Sequence, residues 1–276
     1  MKRFSTTSFW ALCLCAGLLV SCQKSDQQAQ KQAMPTPEPE TQQTTSPSEQ
    51  PAQTSQQPEA QQEKVAAAAT QQTQAGGEQL VPLKITLPKP MFVGTPTNIS
   101  VPNLEKPLGH PRAPFLAPAG TANVALKKPV SSSDEQPIIG ELPMVVDGDK
   151  EGAEGSFVEL GPNQQHVTID LKSKHAIYAI VVWHYHKQAV VYHDVIVQVA
   201  DDRDFISNVT TVFNNDVDNT SGQGVGKDMS YVETAEGKLI DARGAQGRYM
   251  RLSSRGNTAN DLNHYIEVEV YGKAVK

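Results

Sequence analysis

The chain has 276 residues, a formal net charge of −6 and three cysteines, with 38% hydrophobic and 20% charged residues. The mild negative charge, without a basic stripe interleaved with aromatic residues, argues against nucleic-acid binding. Because all three cysteines lie within the first 22 residues, the rest of the chain forms no disulfide and no thiolate metal site. Stability must therefore come from apolar burial, to which a hard cation could add.

Residues 1–21 have the features of a bacterial lipoprotein signal peptide. Two basic residues precede an apolar segment, 9–20, which is too short for a comfortable membrane span. The segment ends in LVSC, which resembles a lipobox; cleavage there would leave Cys22 as a lipidated N-terminus, whose several acyl chains anchor stably. An ordinary signal peptide with a chance cysteine is the alternative. Since Gln23 rather than aspartate follows, we expect the outer membrane or cell surface rather than the inner membrane of the cell envelope.

The next two segments differ in composition. Residues 22–80 are rich in Gln, Pro, Ser, Thr and Glu, and such low apolar content predicts a disordered tether. Residues 81–120 combine frequent proline with apolar side chains such as Leu83, Ile85 and Phe115. Proline disfavours a regular sheet, while the apolar residues favour burial. We therefore expect an extended strap that lies along the domain that follows.

Residues 121–274 have the pattern of an all-β domain. Apolar residues alternate in HVTIDL at 166–171 and HDVIVQVA at 193–200, and IYAIVVWHYH at 177–186 is typical of a central strand. Clusters of Gly, Asn, Asp and Ser separate about eight such runs, without any long helical period. The sequence therefore predicts an antiparallel β-sandwich or jelly roll, large enough to bury a core without disulfides.

Several of these segments resemble, in order and spacing, the discoidin or coagulation factor V/VIII type C domain family. They are NVALKKPVSSSD, VVDGDKEG, HVTIDLKSKHAIYAIVVWH, HDVIVQVADDRDF, GRYMRLSS and YIEVEVYG, which together extend over residues 121–273. The resemblance implies a galactose-binding-like jelly roll with ligand loops at one end. It also implies a role in binding sugars, lipid headgroups or proteins rather than in catalysis.

The resemblance further implies a structural calcium ion. The matching positions are Asp147 and Asp149, a loop group near Ser156, and Glu267. Carboxylates and carbonyls are suitable ligands for a hard cation. The alternative is that Asp147-Gly148-Asp149 is only a tight turn, which these residues favour in any case.

The segment VVWHYHKQAVVYHDV, residues 181–195, is the richest in candidate site residues. In a continued strand, His184 and His186 share one face, and Trp183 and Tyr185 share the other. A hairpin loop over 187–192 would bring His193 close to them.

Three interpretations of this segment follow. In the first, the histidines and aromatic residues form a ligand-binding rim, with ring faces stacked on a sugar. In the second, His184, His186 and His193, with His264, bind zinc or copper. In the third, the histidines are hydrogen-bonded to Asp194 or to the backbone.

Two other polar segments supply candidate ligand-binding residues. Asn215 lies in FNNDVDNTSGQG, which offers many oxygen atoms but is more typical of a solvated loop of Asx turns. Arg255, Asn257 and His264 lie in SSRGNTANDLNHY, where the arginine could form a bidentate contact with a ligand.

The sequence therefore predicts a membrane-anchored, non-catalytic binding protein. No nucleophile elbow, zinc-protease motif or phosphate-binding glycine loop is present. Carbohydrate or a cell-surface glycan is the expected ligand. The alternatives are a copper- or zinc-binding protein that uses His184, His186 and His193, and a protein-adhesion module; the oligomeric state stays open.

Overall fold

The structure is a computed structural model that describes residues 78–92 and 98–275. The predicted signal peptide, the lipidation site at Cys22 and nearly all of the predicted tether lie outside the described residues. Within the described ranges, no helix has the length and apolar character that a membrane span requires.

The described residues form eleven β-strands and a single 3-10 helix, with no α-helix among them. All strand pairs are antiparallel, so the all-β, antiparallel architecture predicted from the sequence is confirmed. The elements are β1 Leu80–Pro82, β2 Leu116–Pro118, β3 Ala122–Asn123, β4 Val130–Ser132, the 3-10 helix Leu142–Val146, β5 Val158–Leu160, β6 Gln165–Trp183, β7 Ile196–Ala200, β8 Thr210–Asn214, β9 Lys238–Ser254, β10 Asn263–Tyr265 and β11 Glu267–Ala274.

Two long strands, β6 and β9, organise the main sheet. They pair with each other along most of their length. The strands of this sheet are arranged in the order β3-β11-β6-β9-β7-β8, and β4 also pairs with β6. The pairing of β6 with β9 is interrupted between Asp170 and His175 and again between Ile177 and Ala179. Such irregularities let a strand bend from one layer into another. The first half of β6 lies beside β4, whereas its second half lies beside β11.

The main core lies between the layers that these bent strands form. The alternation predicted for HVTIDL is confirmed, because Val167, Ile169 and Leu171 are all buried in this core. Residues from the second half of β6, such as Ile180, and from β11, such as Val268, belong to the same cluster. Both halves of β6 therefore contribute one face to a shared interior.

The outer face of the β6–β11 layer is also buried, and the proline-rich segment contributes to its cover. Trp183, Tyr271 and Phe157 form a second apolar cluster there. Leu83 and Phe115, from the segment predicted to be a strap, pack against this cluster. Short β1 and β2 join the two ends of the segment. The segment thus supplies part of the apolar cover of this face, together with Ile139, Tyr185 and Leu239.

We expect Phe115→Ala to lower the free energy of unfolding by about 1–3 kcal/mol, because Phe115 is only partly buried and a fully buried phenylalanine costs roughly 3–5 kcal/mol. Trp183, the tryptophan of the described residues, lies in the same cluster and reports unfolding by its fluorescence in denaturant. Phe205→Ala is the matched control, since Phe205 is partly exposed and belongs to neither apolar cluster. Equal losses for the two variants would show that the segment does not stabilise the sandwich through this contact.

Candidate functional site

A cleft of about 220 Å³ opens where the β5–β10 pair meets two loops. One loop follows β6 and supplies Tyr185 to Tyr192; the other joins β9 to β10 and supplies Asn257 to Asn260. Aromatic rings and side-chain amides dominate its walls. The lining residues are Phe157, Glu159, Tyr185, Gln188, Val190, Tyr192, Asn257, Ala259, Asn260 and His264.

Strand pairing places Glu159 and His264, two residues of the cleft, opposite each other. In the segment FVEL, Val158 and Leu160 are fully buried in the main core, so alternation turns Glu159 toward the other side of β5. β10 pairs with β5 in the register that puts His264 directly across from Glu159. The Nε2 atom of His264 lies 2.9 Å from Oε2 of Glu159.

The other ring nitrogen of His264 continues a buried hydrogen-bond chain. Its Nδ1 atom lies 2.8 Å from the hydroxyl of Tyr192. Burial raises the pKa of Tyr192 well above its usual value, so the phenol keeps its proton and donates it to Nδ1. The Nε2–H group must then donate to Glu159. Burial also lowers the pKa of His264, against the opposing effect of Glu159, which favours the uncharged ring.

Aromatic rings form one side of the cleft. The rings of Tyr185 and Phe157 lie 4.9 Å apart at an angle of 50°, and the Tyr185 ring is 5.8 Å from that of His264. Phe157 is nearly buried, whereas Tyr185 is partly exposed. Tyr185 therefore presents the accessible aromatic surface, held in place by its neighbours.

The loop between β9 and β10 is held rigid by the side chain of Asn257. Its Oδ1 atom accepts the backbone N–H groups of Ala259 and Asn260, at 2.8 and 3.2 Å. Its Nδ2 atom donates to Asn260 Oδ1 and to the backbone oxygen of Leu262, each at 3.0 Å. Gly256 has φ 65°, and a Cβ atom there would lie 2.9 Å from Cα of Asp261. The loop geometry thus depends on a glycine and an asparagine in sequence.

Of the predicted ligand-binding residues, only Asn257 and His264 line this cleft. Asn257 shapes the loop rather than facing a ligand, since all its polar atoms are engaged. His264 is 6% exposed, and both ring nitrogens have protein partners. Both residues therefore position neighbouring groups of the cleft.

The predicted rim around residue 184 is wrong. Trp183, His184 and His186 are fully buried. The indole N–H of Trp183 donates to the backbone oxygen of Ala235 at 3.0 Å. β6 ends at Trp183, so the two-residue alternation could not be extended across His184 to His186.

Each of these two histidines has a structural partner. His184 stacks on Tyr192, with ring centres 4.2 Å apart, and its Nδ1 atom lies 2.7 Å from Oε1 of the buried Glu233. His186 donates through Nε2 to the backbone oxygen of Lys150 at 2.8 Å. The third interpretation, histidines hydrogen-bonded to Asp194 or to the backbone, therefore holds for His186 but not for His184, whose partner is the Glu233 side chain.

The predicted hairpin that would bring His193 to the other histidines is also wrong. β7 pairs with β8 and β9 rather than with β6, and His193 is exposed and does not line the cleft. Among the described residues, one group of three or more metal-ligating side chains has its ligand atoms within 4.8 Å of one another, and it contains no histidine. The structure thus does not assemble a zinc or copper site from His184, His186 and His193.

That one group consists of Asp194, Asp216 and Asp218. The two remaining predicted ligand residues lie beside it. Asn215 is buried, and its Oδ1 atom accepts the backbone N–H of Val195 at 2.7 Å. Arg255 is exposed, with Nη1 3.7 Å from Oδ2 of Asp194. The structure therefore places both residues outside the cleft.

The residues that the discoidin resemblance assigns to calcium do come together in part. Asp147-Gly148-Asp149 forms a tight turn, in which Asp147 Oδ1 accepts the backbone N–H of Asp149 at 2.7 Å and Gly148 has φ 97°. The N–H of Gly148 donates to Glu267 Oε2 at 3.1 Å. The turn and the buried carboxylate are therefore adjacent.

Glu267 carries the feature that fits a cation. It is fully buried, and its Oε1 atom has no hydrogen-bond partner in the described part of the chain. The nearby ammonium of Lys150 is bound to Glu269 at 2.7 Å. Burial raises the pKa of Glu267 to about 9. The protein alone therefore stabilises the charged form of this carboxylate poorly. A hard cation on Oε1 would supply the missing partner.

Sequence reasoning missed Phe157, Glu159, Gln188 and Tyr192 as cleft residues. The sequence did contain a signal for Glu159. An acidic residue between two apolar ones in FVEL indicates the face of β5 that points away from the core. Nothing comparable singled out Tyr192, whose position depends on a loop that packs against residues 65 to 72 positions later.

No protein-family profile matches the sequence, and no curated protein matches it either. Solved structures do resemble it in fold. A family 89 glycoside hydrolase from Clostridium perfringens is 16% identical over 55% of this chain and 15% of that chain, with a TM-score of 0.41. The present chain therefore spans only a small part of that enzyme's length.

Two further structures are matched over nearly their whole length. The first is a chitosan-binding module from a Paenibacillus chitosanase/glucanase, which is 18% identical over 55% of this chain and 99% of the module, with a TM-score of 0.40. The second is a fucose-binding module of Streptococcus pneumoniae, 21% identical over 54% and 97%, with a TM-score of 0.38. The likeness is one of fold alone.

Proposed function

We propose that this chain is a non-catalytic carbohydrate-binding protein whose ligand occupies the cleft beside Tyr185. The observation that carries the proposal is one accessible aromatic face beside several side-chain amides. Sugar rings stack their C–H surfaces on aromatic rings, while side-chain amides bind the hydroxyls. Tyr185 supplies the ring, and Gln188 and Asn260, both exposed, supply amides. The volume is below the roughly 300–1,000 Å³ of pockets for drug-sized ligands, so it suits one sugar residue.

Binding without hydrolysis is the better reading of the cleft. Glycoside hydrolysis generally requires two carboxyl groups on either side of the scissile bond. Glu159 is the one carboxylate among the ten residues that line the cleft, and it accepts a hydrogen bond from His264. This arrangement supports recognition of a ligand rather than its cleavage.

We expect Tyr185→Ala to abolish detectable binding on a glycan array, since the variant removes the accessible ring. Tyr178→Ala is the matched control, because Tyr178 is also a partly exposed tyrosine and does not line the cleft. Circular dichroism of both variants checks that they fold. Unchanged glycan binding by Tyr185→Ala would place the ligand elsewhere, and array-wide absence of binding by the native chain would favour a protein-adhesion role.

The proposal includes a place for the protein in the cell. We propose that lipidation of Cys22 anchors the chain at the bacterial cell envelope and that residues 22–80 tether the sandwich. Cys22→Ser is expected to abolish incorporation of labelled palmitate and to move the protein from the membrane fraction to the soluble fraction. The control is Cys15→Ser, because the predicted cleavage removes Cys15. Acylation that survives Cys22→Ser would contradict the anchor.

We also propose that calcium binds at Glu267 and the Asp147-Gly148-Asp149 turn. Its role would be structural: Glu267 begins β11, and the turn follows the 3-10 helix. His186 supports the same loop from the interior through the backbone oxygen of Lys150. A bound ion would thus connect the end of the sheet to the loop that precedes β5.

A further inference from the structure

We infer that the cleft selects a sugar that carries a free, protonated amino group, and that Glu159 binds that group. The inference rests on the proposed carbohydrate-binding function and assigns its ligand class.

One carboxylate oxygen of Glu159 is available to a ligand. Its Oε2 atom accepts the Nε2–H group of His264, and the hydroxyl of Tyr192 fixes that ring from the other side. No donor in the described part of the chain is hydrogen-bonded to Oε1. The side chain is 12% exposed and lines the cleft, so a ligand can reach this oxygen.

The cleft contains an uncompensated negative charge, that of Glu159. None of its ten lining residues is lysine or arginine. His264 does not neutralise Glu159, because burial favours the uncharged imidazole. A partly buried carboxylate without a cation is costly, and a ligand ammonium group would supply the missing charge.

The groups around Glu159 favour a cationic ligand and disfavour an anionic one. Aromatic faces attract cations through their quadrupole, and Phe157 and Tyr185 stand side by side on the cleft wall. A uronate or a sialic acid would meet a like charge at Glu159 without an arginine to bind its carboxylate. A neutral sugar would leave the charge of Glu159 unpaired. A hexosamine offers a ring face for Tyr185, hydroxyls for Asn260 and Gln188, and an ammonium group for Glu159.

The test is ligand-observed NMR titration of the full chain at about pH 6, where amino sugars are protonated. The probes are the methyl glycosides of glucosamine and galactosamine, each paired with the parent sugar that has a hydroxyl in place of the amine, and methyl glucuronide. We expect at least one amino sugar to bind about tenfold more tightly than its parent, equivalent to about 1.4 kcal/mol. We expect the glucuronide to bind most weakly. The preference should shrink in roughly 1 M salt, where the screening length falls to about 3 Å.

Glu159→Gln is the decisive variant, because glutamine keeps an acceptor for His264 and removes the charge. It should abolish the amine preference, so that each amino sugar and its parent sugar bind the variant within about twofold of each other, well under the 1.4 kcal/mol of a tenfold change. Glu154→Gln is the matched control, since Glu154 is an exposed carboxylate that does not line the cleft. The control should preserve the preference.

The outcomes separate this inference from the proposed function. Binding of parent and amino sugars with equal affinity overturns the inference and leaves carbohydrate binding intact. An amine preference that survives in Glu159→Gln also overturns it, because another residue would then bind the ammonium group. Binding of no sugar by the native chain overturns both. If tetralysine binds as tightly as the amino sugar and both need Glu159, the ligand is a cationic peptide and the sugar assignment fails.

Discussion

Replacing His184 by alanine is expected to lower the free energy of unfolding by about 3–5 kcal/mol. This is the usual cost of removing one partner of a buried pair of ionisable side chains. His184 and Glu233 are fully buried and 2.7 Å apart, and the other carboxylate oxygen of Glu233 has no partner in the described part of the chain. The variant would leave Glu233 without its bound donor and would remove the ring stacked on Tyr192. Denaturant titration measures the loss.

Two comparisons show whether the cost comes from the pair. His193→Ala replaces an exposed histidine of the same segment and should change stability by less than about 0.5 kcal/mol. The double variant His184→Phe with Glu233→Leu replaces both polar partners by apolar side chains, which is often neutral or stabilising. It should recover most of the stability lost in His184→Ala. If the double variant is as unstable as the single one, packing rather than the unpaired carboxylate determines the loss.

The sequence was sufficient to predict the fold of the sandwich. Alternation in HVTIDL and HDVIVQVA indicated which side chains enter the main core, because alternate side chains of a strand share one face. The structure places Val167, Ile169, Val195 and Val197 together in that core. This information is local, since each segment carries its own pattern.

The candidate site could not be predicted in the same way, because it depends on where strands stop. A strand that continued to His186 would have set His184 and His186 on one exposed rim. β6 ends instead at Trp183, and the following residues turn inward to buried partners at Glu233 and Lys150. Those partners are 49 and 36 positions away in sequence, and no periodicity within a segment reports such pairing.

Adding calcium to the chelator-treated full chain is expected to raise the free energy of unfolding, by roughly 4 kcal/mol at a concentration about 1,000-fold above the dissociation constant. The reason is the electrostatic cost of Glu267. With calcium chelated, burial holds the pKa of this carboxyl at about 9, against an ordinary value of 4.5. A carboxyl whose pKa is raised on folding stabilises the fold while it is protonated, and this contribution is lost as the pH rises. The chelated protein should therefore lose stability between about pH 4.5 and pH 9.

Glu267→Gln separates the ion from the fold. The amide has a similar shape and no charge to compensate, so the chelated variant should be at least as stable as the chelated native chain at pH 8, and calcium should no longer stabilise it. Glu154→Gln, which alters an exposed carboxylate, should keep the full response to calcium. Magnesium is the ionic control, since it demands stricter octahedral geometry and gives up its water reluctantly. A native chain whose stability is the same with calcium and with chelator would mean that Glu267 remains a protonated acid in the core. Its proton would then take the place that we assign to the ion.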